Sequence, residues 1–174
     1  MKEETPQGQI IIVDRKDKVI GYKPRDSVTK ADIYRVSGLH VTDKANEILL
    51  AKRSTKKSHD PGMWGTAVAG TLEKGETYRS NIIKEAREEL GLRNIHPKKI
   101  FKEYLSDNYR FFVQWYSLTI DKKTRITLNP EEVSKIRWLS REQLLKDIKK
   151  HPSDYTPSVK RIALRLASDT SFRT

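Results

Sequence analysis

Between Gly70 and Leu92 the chain changes character in a way few folds can absorb. A glycine-bracketed loop, Gly70 to Gly75, leads into a stretch of helical period from Thr77 to Leu90. Ile82, Ile83, Ala86 and Leu90 fall on one side of it. Thr77 suits an N-cap, and Gly91 stands just past the last turn, where a left-handed residue ends a helix. The same segment carries Glu85, Glu88 and Glu89 at i, i+3 and i+4. Three like charges on one helix face repel and need compensation. A hard divalent cation would supply it: Mg²⁺ takes oxygen ligands and keeps waters and substrate phosphates in its shell. Read without its context, the same trio is a solvated acidic face, with Glu85 and Glu89 helped by nearby Lys84 and Arg87.

The flanking segments read mostly as strands. Gln9–Val13 and Lys18–Tyr22, around the polar break Asp14–Asp17, form a hairpin over about 9–24 that Pro24 ends. Tyr34–Val41, Glu47–Ala51, Arg110–Ile120 and Ile136–Leu139 are further strands. Ser54 to Gly62 is a polar loop. Ser140 and Gln143 have capping-box spacing, with Leu139 and Leu144 placed as a hydrophobic staple. A last helix starts at Thr156 with Pro157 in its first turn and continues through Val159, Ile162, Ala163 and Leu166. Strands around a central helix, with helices toward the C-terminus, give an α/β layered domain without strict βαβ alternation. The 174 residues are expected to form one domain, with its core over about 35–167.

The chain has no cysteine, which excludes disulfides, thiolate metal sites and cysteine nucleophiles. No apolar run is long enough to span a bilayer and the N-terminus has no signal core, so no membrane association and a cytoplasmic setting are expected. The net charge of +12 comes with scattered dilysines such as Lys56-Lys57 and Lys122-Lys123, which read as solvated charge or as a field steering an anionic substrate. His40, His59, His96 and His151 show no ligand spacing. Trp64 is assigned to the core, and Tyr109, Arg110 and Phe112 to packing or a pocket wall.

The segment resembles the Nudix box, G-x5-E-x7-R-E-U-x-E-E-x-G-U with U apolar. Gly70, Glu76, Glu85, Ala86, Glu88, Glu89, Gly91 and Leu92 fall in place over 70–92. The resemblance implies an α/β/α sandwich with a mixed central sheet. It implies hydrolysis of a diphosphate linkage in a small anionic metabolite, such as a nucleoside diphosphate derivative, with Mg²⁺ (or Mn²⁺) as cofactor. Glu85 and Glu89 would be the main metal ligands, with Glu88 serving a second ion or acting through water. The backbone carbonyl near Ala69 or Gly70 would also face the metal. Glu131 and Glu132 are the candidates for general base, with Glu132 the choice. One position departs from the pattern: Lys84 stands where the family has arginine, and a flexible point charge replaces a planar fork.

Ile48 to Ser54, Pro61 to Trp64 and Glu131 to Leu139 are similar to the Nudix branch that includes isopentenyl-diphosphate isomerase. Those isomerases use a cysteine where Ala69 stands, so isomerase chemistry has no carrier here. The alternative to an enzyme is a binding or regulatory domain that kept the fold. Its charge would suit nucleic acid, although no stacked-aromatic RNA motif, zinc pattern or helix-turn-helix accompanies it. A homodimer is the commonest assembly for such a protein, and substrate identity is not legible.

Overall fold

A computed structural model describes residues 8–168, with side chains to residue 165. Nine strands and three helices form an α+β sandwich, a mixed sheet with helices on both faces. The ends of the expected domain, and Leu166 on the last helix, lie outside the described side chains.

The N-terminal hairpin is present as β1 (Gln9–Val13) and β2 (Val19–Pro24), with Asp17 in its turn at φ 61. β3 (Ile33–Thr42) is the spine of the sheet. It runs antiparallel to β1, to β4 (Ile48–Arg53) and to β6 (Val68–Thr71), and parallel to β8 (Arg110–Thr119). β4 also pairs with β5 (Trp64–Thr66) and β9 (Val133–Leu139), and β7 (Lys98–Ser106) closes against β8. β5, β6 and β7 went unread in the sequence. β5 and β6 are too short to show an alternation, and a register shift between Lys99 and Lys102 breaks the pattern of β7.

Because β3 alternates, it serves two cores. Leu39 and Val41 pack with Ile82, Ala86 and Leu90 of α1 (Tyr78–Leu90). Val36, on the opposite face, packs with Trp115 and with Ile162 of α3 (Pro157–Ser168). α2 (Arg141–Lys150) joins that second face through Leu144, against Leu139 as the staple predicts. Burial of each large side chain such as Ile82 or Leu90, both 0% exposed, stabilises by roughly 1.5–3 kcal/mol.

The ends of α1 are fixed by local chemistry. The Thr77 hydroxyl accepts from the Ser80 amide, and Ser80 Oγ accepts in turn from the Thr77 amide at 2.8 Å. Gly91 adopts φ 68 and its amide donates to the Arg87 carbonyl at 3.0 Å, as a C-terminal glycine should. The next carbonyls of α1 are not left to solvent. Leu90 O accepts from Thr127 N and Glu89 O from Asn129 N, each at 3.0 Å. The segment leading to Glu131 and Glu132 is thereby tied to the end of the helix that carries Glu88 and Glu89. No helix among the described residues is long and apolar enough to cross a membrane.

Candidate active site

The loop and helix of the 70–92 segment place their acidic groups unequally. Gly70 lies in β6, opposite Ser37 of β3, and the Glu85 side chain lies directly against it. A Cβ at Gly70 would stand 2.3 Å from Glu85 Cγ, so only glycine lets that carboxylate lie over the strand. Glu85 and Glu89, one turn apart, both turn toward the protein. Burial pushes the Glu85 carboxyl up to about 7, with Lys84 opposing and the charges of Glu88, Glu76 and Glu132 adding to the rise. Burial pushes Glu89 up to about 8, reinforced by Glu85 and Glu132 and opposed by Lys57 and Arg53.

Glu88 behaves differently. Its side chain is 49% exposed and lies 3.7 Å from Arg87, so the three glutamates of the sequence pattern become an inward pair and an outward neighbour. Among the described residues, no three acidic or histidine side chains already stand at metal-ligand spacing. Arg87, read as a partner for the inward pair, contacts Glu88 instead.

Lys84 reaches Glu76 Oε1 at 2.6 Å and Glu85 Oε1 at 3.7 Å, with Glu73 at 3.9 Å. Burial works against its charge, but the Glu76 hydrogen bond and the three carboxylates outweigh it and raise its pKa. The chief partner of Lys84 is Glu76, not the inward pair. Burial alone would raise Glu76, yet the Glu73 amide, Lys84 and Asn81 hold it low and charged. Asn81 went unnoticed in the sequence. It is 0% exposed, accepts from the Ser37 hydroxyl, and donates to Glu76 Oε2 at 2.8 Å and Glu85 Oε1 at 3.3 Å. Its signal was available: a polar residue four positions before Glu85, beside the apolar stripe of the helix.

Of the inward pair, Glu89 opens onto a cleft of about 80 Å³. Arg53, Asp60, Glu89, Glu132, Thr156 and Ser158 are among its lining, together with Ala69. The loop between β4 and β5 forms part of this rim. It is strapped to the β9 approach by Lys56–Glu131 at 2.5 Å and by a Lys57–Glu132 ion pair, and Arg53 Nε donates to His59 O at 2.9 Å. Glu132 therefore reaches the site, whereas Glu131 is exposed and does not line the cleft. Arg53 looks in the sequence like any other basic residue near a strand, and Lys57 is read there only as one of the scattered dilysines. Trp64, assigned to the core, is half-buried at the edge of the α2–α3 packing, with the Arg137 guanidinium 4.0 Å above its ring. Phe112 packs in a core cluster with Ile11, Val13 and Leu72, while Tyr109 is exposed and touches the His59 ring edge-on at 5.1 Å.

The inward carboxylates suit a small hard cation. Glu85 and Glu89 offer carboxylate oxygens whose mutual repulsion a cation would relieve, and Ala69 at the exposed edge of β6 lies beside them. Mg²⁺ is commonly held by one or two carboxylates with waters completing its shell.

A family model described as the NUDIX domain matches residues 33–160. A prenyl-diphosphate phosphatase of Methanosarcina mazei is 30% identical over 152 residues, covering 85% of this chain and 88% of that protein. An isopentenyl-diphosphate Delta-isomerase of Ruegeria pomeroyi is 28% identical over 132 residues, covering 72% and 73% of the two chains. Among solved structures, a protein from Deinococcus radiodurans superposes with a TM-score of 0.77 at 24% identity, over 90% of this chain and 98% of that one, and so shares the fold. The chain belongs to the Nudix family, as a hydrolase acting on diphosphate linkages.

Proposed function

We propose that the protein is a Mg²⁺-dependent Nudix hydrolase, active also with Mn²⁺, that cleaves the diphosphate of a small anionic metabolite such as a nucleoside diphosphate derivative. The observation that carries this reading is the inward pair Glu85 and Glu89, partly buried side by side with no cation of the protein fully committed to them. In this reading both carboxylates hold the metal, with the backbone carbonyl of Ala69 or Gly70 beside them. Glu88, at the outer margin, serves a second ion or acts through water. A bound divalent ion supplies a lowered water pKa and neutralises charge on the leaving phosphate.

The remaining work falls to the protein's own groups. Arg53 and Lys57 receive the diphosphate at the rim. Binding there draws Lys57 away from Glu132, which frees that carboxylate to take a proton as general base. Asn81 and Lys84 keep Glu85 and Glu76 in place, so catalysis rests chiefly on positioning and charge stabilisation. Isomerisation, the activity named for the Ruegeria relative, resembles a cysteine-dependent reaction, and this chain has no cysteine.

The test is phosphate or pyrophosphate release from a panel of nucleoside and prenyl diphosphates, with Mg²⁺, with chelator, and with Glu89→Gln. Turnover that requires the metal and falls at least 100-fold in Glu89→Gln is expected, the scale of losing one group that acts in the transition state. Metal-independent turnover, or full activity in Glu89→Gln, would overturn the assignment.

A further inference from the structure

Two polar groups of the cleft are not used by the reading above, on which this inference rests. Asp60 and Ser158 both line it, and among the described residues neither side chain makes a hydrogen bond or ion pair. Thr156, 5% exposed, stands next to Ser158 and uses its hydroxyl to accept from Val159 N at 3.4 Å at the start of α3. Asp60 is not adrift on its loop. It occupies a left-handed conformation at φ 48, its carbonyl accepts from Met63 N at 3.3 Å, and the neighbouring His59 is held by Arg53 and by the ring of Tyr109.

Asp60, exposed at the rim, has no basic partner among the described residues, unlike Glu132 with Lys57, so its charge repels phosphate and the group that faces it is the organic part of the substrate. A hydrocarbon chain laid there would strip water from the carboxylate and the Ser158 hydroxyl and return no hydrogen bond. The apolar lining offers it little in exchange, being limited to side chains such as Ala51, Ala69 and Val133. A ring bearing hydroxyls would instead donate to Asp60 and exchange a hydrogen bond with Ser158. We propose that Asp60 and Ser158 are specificity-determining residues that select a diphosphate carrying a hydroxylated sugar over one carrying a hydrocarbon chain. This separates the chain from what the name of its Methanosarcina relative states of that protein.

Sites built to hydrogen-bond a hydroxyl reject analogues that lack it, because their own polar groups are left unpaired. The experiment compares ADP-ribose with geranyl diphosphate in the unaltered protein, in Asp60→Ala and in Ser158→Ala. Thermal melting verifies that each variant is folded. The unaltered protein should favour ADP-ribose in kcat/KM by at least tenfold. Each variant should shrink that preference severalfold, through KM for ADP-ribose more than through kcat. A preference for geranyl diphosphate, or a preference unchanged in both variants, overturns the inference while leaving the hydrolase reading intact. No metal-dependent turnover of either compound, or of any other diphosphate, overturns both.

Discussion

Replacing Gly70 by alanine tests the geometry of the site with a single methyl group. The new Cβ would stand 2.3 Å from Glu85 Cγ, 2.6 Å from Cδ and 2.7 Å from Oε1. Ordinary contact between carbon atoms lies at about 3.5–4.0 Å, so one partner must move by roughly 1 Å or more. The strand cannot give way easily, since Gly70 pairs with Ser37 in the register that β6 and β3 share over four residues. The Glu85 side chain must therefore leave its place over β6, and with it the donation from Asn81 at 3.3 Å and the approach of Lys84 at 3.7 Å. Overpacking of this kind costs about 1–3 kcal/mol, and in a domain of this size each kcal/mol lowers Tm by roughly 2–4 °C. Displacing a reacting group by about 1 Å costs on the order of 100-fold in rate. Gly70→Ala should thus keep its fold, melt a few degrees lower, lose about two orders of magnitude in kcat, and bind Mg²⁺ more weakly by calorimetry. A double-mutant cycle with Glu85→Ala isolates the cause, because that variant removes the atoms the methyl group would meet. Added to Glu85→Ala, Gly70→Ala should cost little further in stability or rate. An additive cycle would refute the claim that Gly70 acts through Glu85, as would normal kcat in the single variant.

Two further outcomes follow from the electrostatics of α1. Glu85 at about 7 and Glu89 at about 8 lie above the ordinary carboxyl value of 4.5, so in chelator the folded protein holds protons that the unfolded chain has released. Their stabilising contribution is complete below about pH 4.5 and is lost progressively as pH rises from there through 7 to 8. Thermal melts across that range should show falling Tm in chelator, a shallower fall in Glu89→Gln, and a flatter profile in excess Mg²⁺; a Tm that rises with pH in chelator would contradict the burial of the pair. Asn81→Ala should cost about 1–3 kcal/mol in chemical denaturation, because the buried Ser37 hydroxyl loses its acceptor and Glu76 and Glu85 lose a donor. The same variant should lower kcat more than it raises KM, whereas an unchanged kcat would confine Asn81 to a structural role.

Much of this molecule is written in short-range chemistry. Thr77, Ser80 and Gly91 bound the central helix, Ser140 and Gln143 begin the next, and the break at Asp14–Asp17 makes the hairpin, because caps and turns are settled by groups a few residues apart. The 70–92 pattern likewise carried the family and the acidic segment on its own. Spacing could not say which way each glutamate turns. Glu85 and Glu89 face the sheet while Glu88 faces water, since that depends on Gly70, which arrives from a strand fifteen residues earlier. Nor could it assign Lys84 to Glu76, a choice made by where the loop folds back over the helix. The cleft was the least legible part. Arg53 ends β4 and Asp60 follows it, Glu132 precedes β9, and Thr156 and Ser158 open α3. Each looks like ordinary surface polarity in its own segment. They become one site because β4 pairs with both β5 and β9, and because the Trp64 carbonyl accepts from the Thr156 amide at 2.9 Å and brings the start of α3 to the sheet's edge. Those are contacts between residues far apart in the chain, and only the packed structure decides them.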